Sequence, residues 1–214
     1  MSDEKQKVLG RIRAALAGAH APPTEPTRPD FLHSWDAPRE EIVALFIEHA
    51  ADYRADVRRV EADSAGLAIT ARLRERGIKR LVVPVDLPPE WIPEGVELLS
   101  DAGGILSHAE LDASDGVLTG CALAVAQTGS LVLDGGVAQG RRALTLLPDY
   151  HLCVVRAEQV VGLIPEAVSQ LTAAVRDRRQ PITLVSGPSA TSDIELNRVE
   201  GVHGPRVLDI LVVG

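Results

Sequence analysis

The chain has 214 residues, 45% of them hydrophobic, which is enough for one well-buried core with an appended arm. Its formal net charge of −8 speaks against a nucleic-acid partner, because polyanions are held by clustered Lys and Arg, and acids outnumber bases here 30 to 22. Cys121 and Cys153 offer neither a CxxC pair nor the four thiolates of an iron-sulfur cluster, and read as two buried thiols.

The opening MSDEKQK places acids where a signal peptide needs an apolar stretch, and no apolar run reaches the length of a membrane span, so a cytoplasmic protein is expected. Residues 3–17 carry Val8, Ile12, Ala15 and Leu16 at helical spacing and meet Gly18 as a stop. Residues 20–38 hold five prolines and no apolar period, which reads as an extended linker. The division is therefore 1–38, an amphipathic helix with a Pro-rich linker, and 39–214, an α/β domain. Such an arm suits docking on its own domain or exchange between subunits of a homo-oligomer.

From Arg39, the residues Ile42, Phe46, Ala50, Tyr53, Val57 and Val60 recur every three or four positions and predict one long amphipathic helix. SAGLAITARLRERG (64–77) predicts another, ending at Gly77. Short apolar runs then alternate with helical or glycine-rich segments: KRLVVPV from 79, VELLS from 96, GVLTG from 116, ALAVA from 122, SLVLD from 130, HLCVV from 151, ITLVS from 182 and VLDILVV from 207. PEAVSQLTAAVRDR (165–178) is the helical segment among the last of these, with Pro165 suited to a first turn. Strands rich in Val, Ile and Leu, interleaved with helices, predict an α/β domain around a mainly parallel, buried sheet flanked by helices. There is no GxGxxG after a strand and no GxxxxGK[ST], so the common nucleotide-binding fingerprints are absent.

In AVAQTGSLVLDGG (124–136), Thr128 and Gly129 between two apolar runs predict a tight turn that returns the chain as an adjacent strand. A turn at the ligand end of the sheet would add donors from Gln127, Thr128 and Ser130. Arg141 and Arg142 follow and can meet an anionic substrate or stand solvated.

The densest polar segment is GPSATSDIELNRVEGVHGP, 187–205. Gly187-Pro188 ends the preceding strand, since proline removes a ladder donor. Ser192 and Glu195 have capping-box spacing, with Asp193 in the first turn of the helix they would cap. The same geometry serves a ligand, because strand end, loop and helix N-terminus line the crevice of a parallel sheet, where Ser189, Thr191 and Ser192 can hold a carboxylate or phosphate. Gly201 and Gly204 bracket His203, which reads either as a turn histidine or as a general base oriented by Glu200 or Asp193. The remaining histidines show no ligand spacing, so no metal site is expected.

The succession AQTGSLVL, RRALTLLPDYHLCVV and GPSATSDIELNRVEGVHGP resembles the lactate utilisation protein C (LutC, YkgG) family, whose module is the LUD domain. The likeness runs from about Ile42 to the C-terminus, and LGRIRAAL (9–16) looks like the family's N-terminal helix. It implies a fold similar to the NagB/RpiA/CoA-transferase-like superfamily and participation in oxidation of L-lactate to pyruvate beside two iron-sulfur partner proteins. Where the family commonly carries Glu in E-[ST]-G-T, this chain has Gln127 and Ser130, which removes a carboxylate from that position.

Lactate oxidation releases two electrons, and a chain with two cysteines and no flavin or nicotinamide fingerprint must pass them to a partner. The expectation is a substrate-binding, assembly or regulatory subunit with no cofactor of its own, its iron-sulfur clusters residing in the partners. His203, Glu200 and Asp193 are the catalytic candidates. Thr128, Gly129, Ser130, Gly187, Ser189, Thr191, Ser192, Glu195, Gly201 and Gly204 are the ligand-binding candidates. Two rivals are a stand-alone enzyme that moves a proton or acyl group on a sugar phosphate or acyl-CoA, and a purely structural adaptor.

Overall fold

The structure, a computed structural model, describes residues 2–17, 31–177, 179–191, 199–200 and 203–214. These fall into two compact units, 1–32 and 33–214. In the first, α1 (Ser2–Ala17) is the helix predicted at the N-terminus.

The second unit opens with α2 (Arg39–Asp52), which carries Glu40 and Glu41 in its first turn and buries Ile42, Val43, Phe46 and Ala50. The long helix expected through Val60 stops here. Arg54 has φ 70°, a left-handed conformation that a helix cannot continue through, and Asp56–Val60 form strand β1. Val57 and Val60 then serve opposite faces of the sheet, Val57 against the α2 core and Val60 against the core on the other side. Residues three apart share a face in a helix and oppose each other in a strand, which is why this spacing misleads.

Next come α3 (Ala65–Glu75), β2 (Arg80–Val82) and β3 (Glu97–Leu99). A short α4 (His108–Asp112) follows, its N-terminus held by a reciprocal Ser107–Glu110 capping box that the sequence reading missed. The chain continues through β4 (Gly116–Thr119), β5 (Leu123–Val125), β6 (Ser130–Leu133), β7 (Tyr150–Arg156), β8 (Val160–Val161) and α5 (Ile164–Arg176). It ends with β9 (Thr183–Val185), β10 (Ala190–Thr191), β11 (Val199–Glu200) and β12 (Val207–Val213).

Six strands form the main sheet in the order β1-β12-β7-β4-β2-β3, every neighbouring pair parallel. The runs ALAVA, SLVLD and ITLVS do not join it. They build a second sheet, β8-β5-β6-β9, in which β5/β6 and β6/β9 are antiparallel and only β5/β8 is parallel. Apolar composition marks these runs as strands, but pairing direction is set by connection length, and the Thr128-Gly129 turn is too short for anything but a hairpin.

The two sheets and α2 enclose the principal core, with Phe46, Val43, Leu131, Val155 and Ile210 at its centre. On the other face of the parallel sheet, α3 packs Ile69 and Leu73 against Leu152 and Leu211. Outside the small sheet, Ala167 and Leu171 of α5 cover Val125 and Val132. Burying each such Leu, Ile or Phe contributes about 1.5–3 kcal/mol.

Within the α3-facing layer sits Asp209, whose side chain is 1% exposed. It accepts hydrogen bonds from Arg72 Nε at 2.6 Å, Arg76 Nη2 at 2.7 Å and the Tyr150 hydroxyl at 2.8 Å. Cys121 and Cys153 are both free and buried, as expected, and they also meet. The hydrogen bond to Cys153, followed by burial, pushes the Cys121 thiol well above its ordinary range.

Candidate functional site

The polar segment from 187 leaves the end of β9 as a ribbon. Gly187 has φ 81°, and a side chain there would collide with the carbonyl oxygen of Tyr53. Ser189 then ties the two ends of the segment together: its backbone N–H donates to Pro205 O at 2.8 Å, and its Oγ accepts from the His203 backbone N–H at 2.9 Å. Between these ends β10 and β11 pair antiparallel, Ala190 with Glu200 and Thr191 with Val199.

Beneath the ribbon lies a cavity of about 200 Å³, whose polar lining includes Arg142, Thr145, His151, Ser186, Ser189 and His203. Arg142 stands on a turn of 3-10 helix (Arg142–Thr145), and its Nη1 donates to Thr145 Oγ1 at 2.9 Å and Thr145 O at 3.0 Å. These are neutral acceptors, and among the described residues Arg142 pairs with no carboxylate. Burial lowers its pKa from the ordinary arginine value, as expected for a cation with no counter-charge.

His151, the second residue of β7, is buried, with Nε2 2.8 Å from Thr119 Oγ1. Burial, assisted by the Arg142 charge, lowers its pKa to about 4, so the ring is neutral at pH 7. Ser186 joins the site to the start of β6, its Oγ lying 2.6 Å from Ser130 Oγ. His203 is exposed at the mouth, and among the described residues its imidazole makes no hydrogen bond.

Of the residues singled out in the sequence, the structure gathers Gly187, Ser189, His203 and Gly204 around this cavity, with Ser130 attached through Ser186. Thr128 and Gly129 face elsewhere. Gly129, at φ 57°, presses on α2, where a Cβ would lie 2.7 Å from His49 O and would also meet Ala50 N. Thr128 Oγ1 is buried without a hydrogen-bond partner among the described residues. Gln127 is occupied at the start of α5, its Oε1 accepting from Ile164 N at 3.4 Å. Ser192, Asp193, Glu195 and Gly201 lie outside the described residues, and Thr191 and Glu200 are described only as backbone of the ribbon. The expected capping box and the His203 pairings with Glu200 or Asp193 therefore fall outside what the structure describes.

Two expectations change. The cavity does not sit at the carboxyl ends of the parallel strands: His151 and Leu208 place it at the amino ends of β7 and β12, because β9, which feeds the ribbon, belongs to the antiparallel sheet. The arginine pair also divides. Arg141 is committed to Asp101 at 2.8 Å and Leu106 O at 2.6 Å, leaving Arg142 as the one of the two that faces the cavity. Nothing in its spacing singles out His151; its signal is a histidine near the start of a mostly apolar strand, nine residues after Arg142.

A guanidinium, several hydroxyls and a neutral imidazole around a small space favour an oxyanion over a cation. Among the described residues no group of three or more His, Cys, Asp or Glu is placed to hold a metal ion, and no helix is long and apolar enough to cross a membrane.

Comparison with known proteins is consistent along most of the chain. The LUD domain family model matches residues 43–213. The chain is 44% identical to the Lactate utilization protein C of Deinococcus radiodurans, over 100% of this chain and 97% of that protein. It is 31% identical to the protein YkgG of Escherichia coli, described as uncharacterized, over 75% of this chain and 74% of that one. Among solved structures, a DUF162 family protein from Deinococcus radiodurans superimposes with TM-score 0.73 at 42% identity, covering 83% of this chain and 99% of that chain.

Proposed function

The chain belongs to the LUD domain family, and from that membership we propose that it is a component of an L-lactate utilisation system that binds a small 2-hydroxy or 2-oxo carboxylate in the Arg142–His203 cavity. The observation that carries this reading is Arg142 itself: a part-buried guanidinium, bonded only to neutral acceptors among the described residues, that lines the cavity together with Ser186 and Ser189. Relatives at 44%, 28% and 25% identity that carry the name Lactate utilization protein C support the substrate class.

The size agrees. About 200 Å³ lies below the roughly 300–1,000 Å³ of pockets for drug-sized ligands and suits a molecule of a few heavy atoms. Arg142 takes the carboxylate, while Ser186 and Ser189 meet the substituent on the neighbouring carbon. Neutral His151 contributes a hydrogen bond and no charge. His203 stands exposed at the mouth.

The chain carries two cysteines and no flavin or nicotinamide fingerprint, so the two electrons of lactate oxidation pass to iron-sulfur partner proteins. Its role is to bind substrate, assemble the complex or regulate it. The test is anaerobic purification of the tagged chain from its host, with the visible spectrum and lactate-dependent dye reduction measured on the complex and on the isolated chain. The reading expects broad iron-sulfur absorption and turnover only when partners co-purify. Turnover by the isolated chain with a dye acceptor contradicts it, and activity on a sugar phosphate or acyl-CoA that is lost in His203→Ala favours the stand-alone enzyme instead.

A further inference from the structure

A second cavity, of about 330 Å³, opens at the other end of the parallel sheet. It is bounded by the segments that follow β2, β4, β6 and β7 and by α5, with Trp91, Gly120, Gln139, Arg156, Gln159 and Gln170 among its lining. Arg156 ends β7 and His151 is its second residue, so five residues at roughly 3.3 Å each separate the two cavities by about 16 Å along one strand. Carboxyl ends of parallel strands are where diverging loops leave a crevice.

The side chains there are arranged for an anion. The Arg156 guanidinium lies 5.1 Å from the centre of the Trp91 ring, and that ring is itself 3% exposed. A planar fork stacked on a fixed aromatic surface loses little freedom when it binds, and it presents paired N–H donors matched to a carboxylate or phosphate. Among the described residues no carboxylate forms a salt bridge with Arg156.

Its surroundings are held in place. Gln159 Oε1 accepts from the Arg156 backbone N–H at 2.9 Å while its Nε2 donates to Cys121 O at 2.8 Å. Gln139 and Asp134 bond reciprocally at 2.8 and 2.9 Å. Opposite them, α5 offers the exposed Gln170.

We propose that this cavity is a second ligand site, for a hydroxylated organic oxyanion whose carboxylate or phosphate sits on the Arg156 fork and whose hydroxyls meet Gln170 and the Asp134–Gln139 pair. It is independent of the Arg142–His203 cavity and uses none of the same residues.

The test is isothermal titration calorimetry of the full chain with glycerol 3-phosphate and D-glycerate, one probe for each kind of oxyanion, and glycerol as the neutral control. At least one anion binds saturably and glycerol does not. Arg156→Gln weakens that binding about 10- to 100-fold, the loss of a charge-assisted contact. Arg156→Lys, which keeps the charge without the fork, falls between the two, and circular dichroism shows both variants folded. In a Trp35→Phe background, Trp91 is the remaining tryptophan, and its fluorescence follows the same binding curve. Absence of saturable heat with both anions, or affinity undiminished in Arg156→Gln, overturns the proposal. L-lactate binding at the other cavity is unchanged by Arg156→Gln, so the two assignments succeed or fail separately.

Discussion

The Oγ atoms of Ser130 and Ser186 lie 2.6 Å apart and join the start of β6 to the residue that follows β9. Ser130 is 1% exposed while Ser186 is exposed, so the bond is part-buried and satisfies a hydroxyl that bulk water does not reach. Ser130→Ala removes the partner of a residue that lines the cavity. Urea unfolding is expected to show a loss of about 1 kcal/mol, and calorimetry a several-fold weaker interaction with L-lactate. Weakened stability with lactate affinity intact would confine the bond to a structural role.

Asp209 tests how the α3 layer is held. Burial works against its ionised form, but hydrogen bonds from Arg76, Arg72 and Tyr150 outweigh that cost and hold the carboxyl below its ordinary range. Asp209→Ala leaves the buried Arg72 without its main counter-charge, although Asp56 and Glu75 remain partners. Breaking a buried pair from one side typically costs about 3–5 kcal/mol, so chemical denaturation should show a loss of that order. The contribution is present above the unfolded-state carboxyl pKa and is lost as pH falls through the lower folded value.

His151 sets a pH dependence with its own window. The unfolded residue takes up a proton near pH 6.5, whereas the folded one, buried and facing Arg142, does so only near 4. Between these values the unfolded state binds more protons, so stability falls as pH falls from about 6.5 to 4, by about 3 kcal/mol in all. His151→Gln, which can keep a bond to Thr119, is expected to flatten this part of the stability curve. An equally steep curve in the variant would assign the slope to other groups.

Two glycines separate strain from collision. Gly77 and Gly129 both have positive φ, 71° and 57°, but a Cβ at Gly77 meets nothing within 4 Å, while one at Gly129 meets the α2 backbone. Gly77→Ala should cost about 1–2 kcal/mol, the left-handed conformation alone. Gly129→Ala adds overpacking and should cost about 1–3 kcal/mol more. Equal losses in thermal or urea unfolding would mean that α2 shifts to accommodate the methyl group.

The α/β class and the parallel sheet were legible because Val- and Leu-rich runs such as VLDILVV are the mark of strands buried on both faces. The helix-to-strand change at Arg54 was hidden because Val57 and Val60 continue the helical spacing of Ile42 and Phe46 while pointing to opposite faces of β1. The second sheet was hidden for a different reason: ITLVS has the composition of a buried strand, yet β9 lies at an edge and leaves Leu184 54% exposed. At the site, glycine, serine and histidine clustering singled out the segment from 187, and of it Gly187, Ser189, His203 and Gly204 line the cavity. Arg142 was recognised only as an anion candidate and His151 not at all, since what brings them beneath Ser189 is the parallel pairing of β7 with β12, a contact between residues 57 positions apart, as in His151 with Leu208.

The most direct test is calorimetric titration of L-lactate and pyruvate into the isolated chain and into its Arg142→Gln variant, with thermal unfolding of both proteins to show that the fold is kept. The account predicts saturable binding of at least one of these carboxylates and a loss of about 10- to 100-fold in the folded variant, since a charge-assisted contact is removed. Absence of binding to the intact chain, or equal affinity in the variant, contradicts a carboxylate site at Arg142.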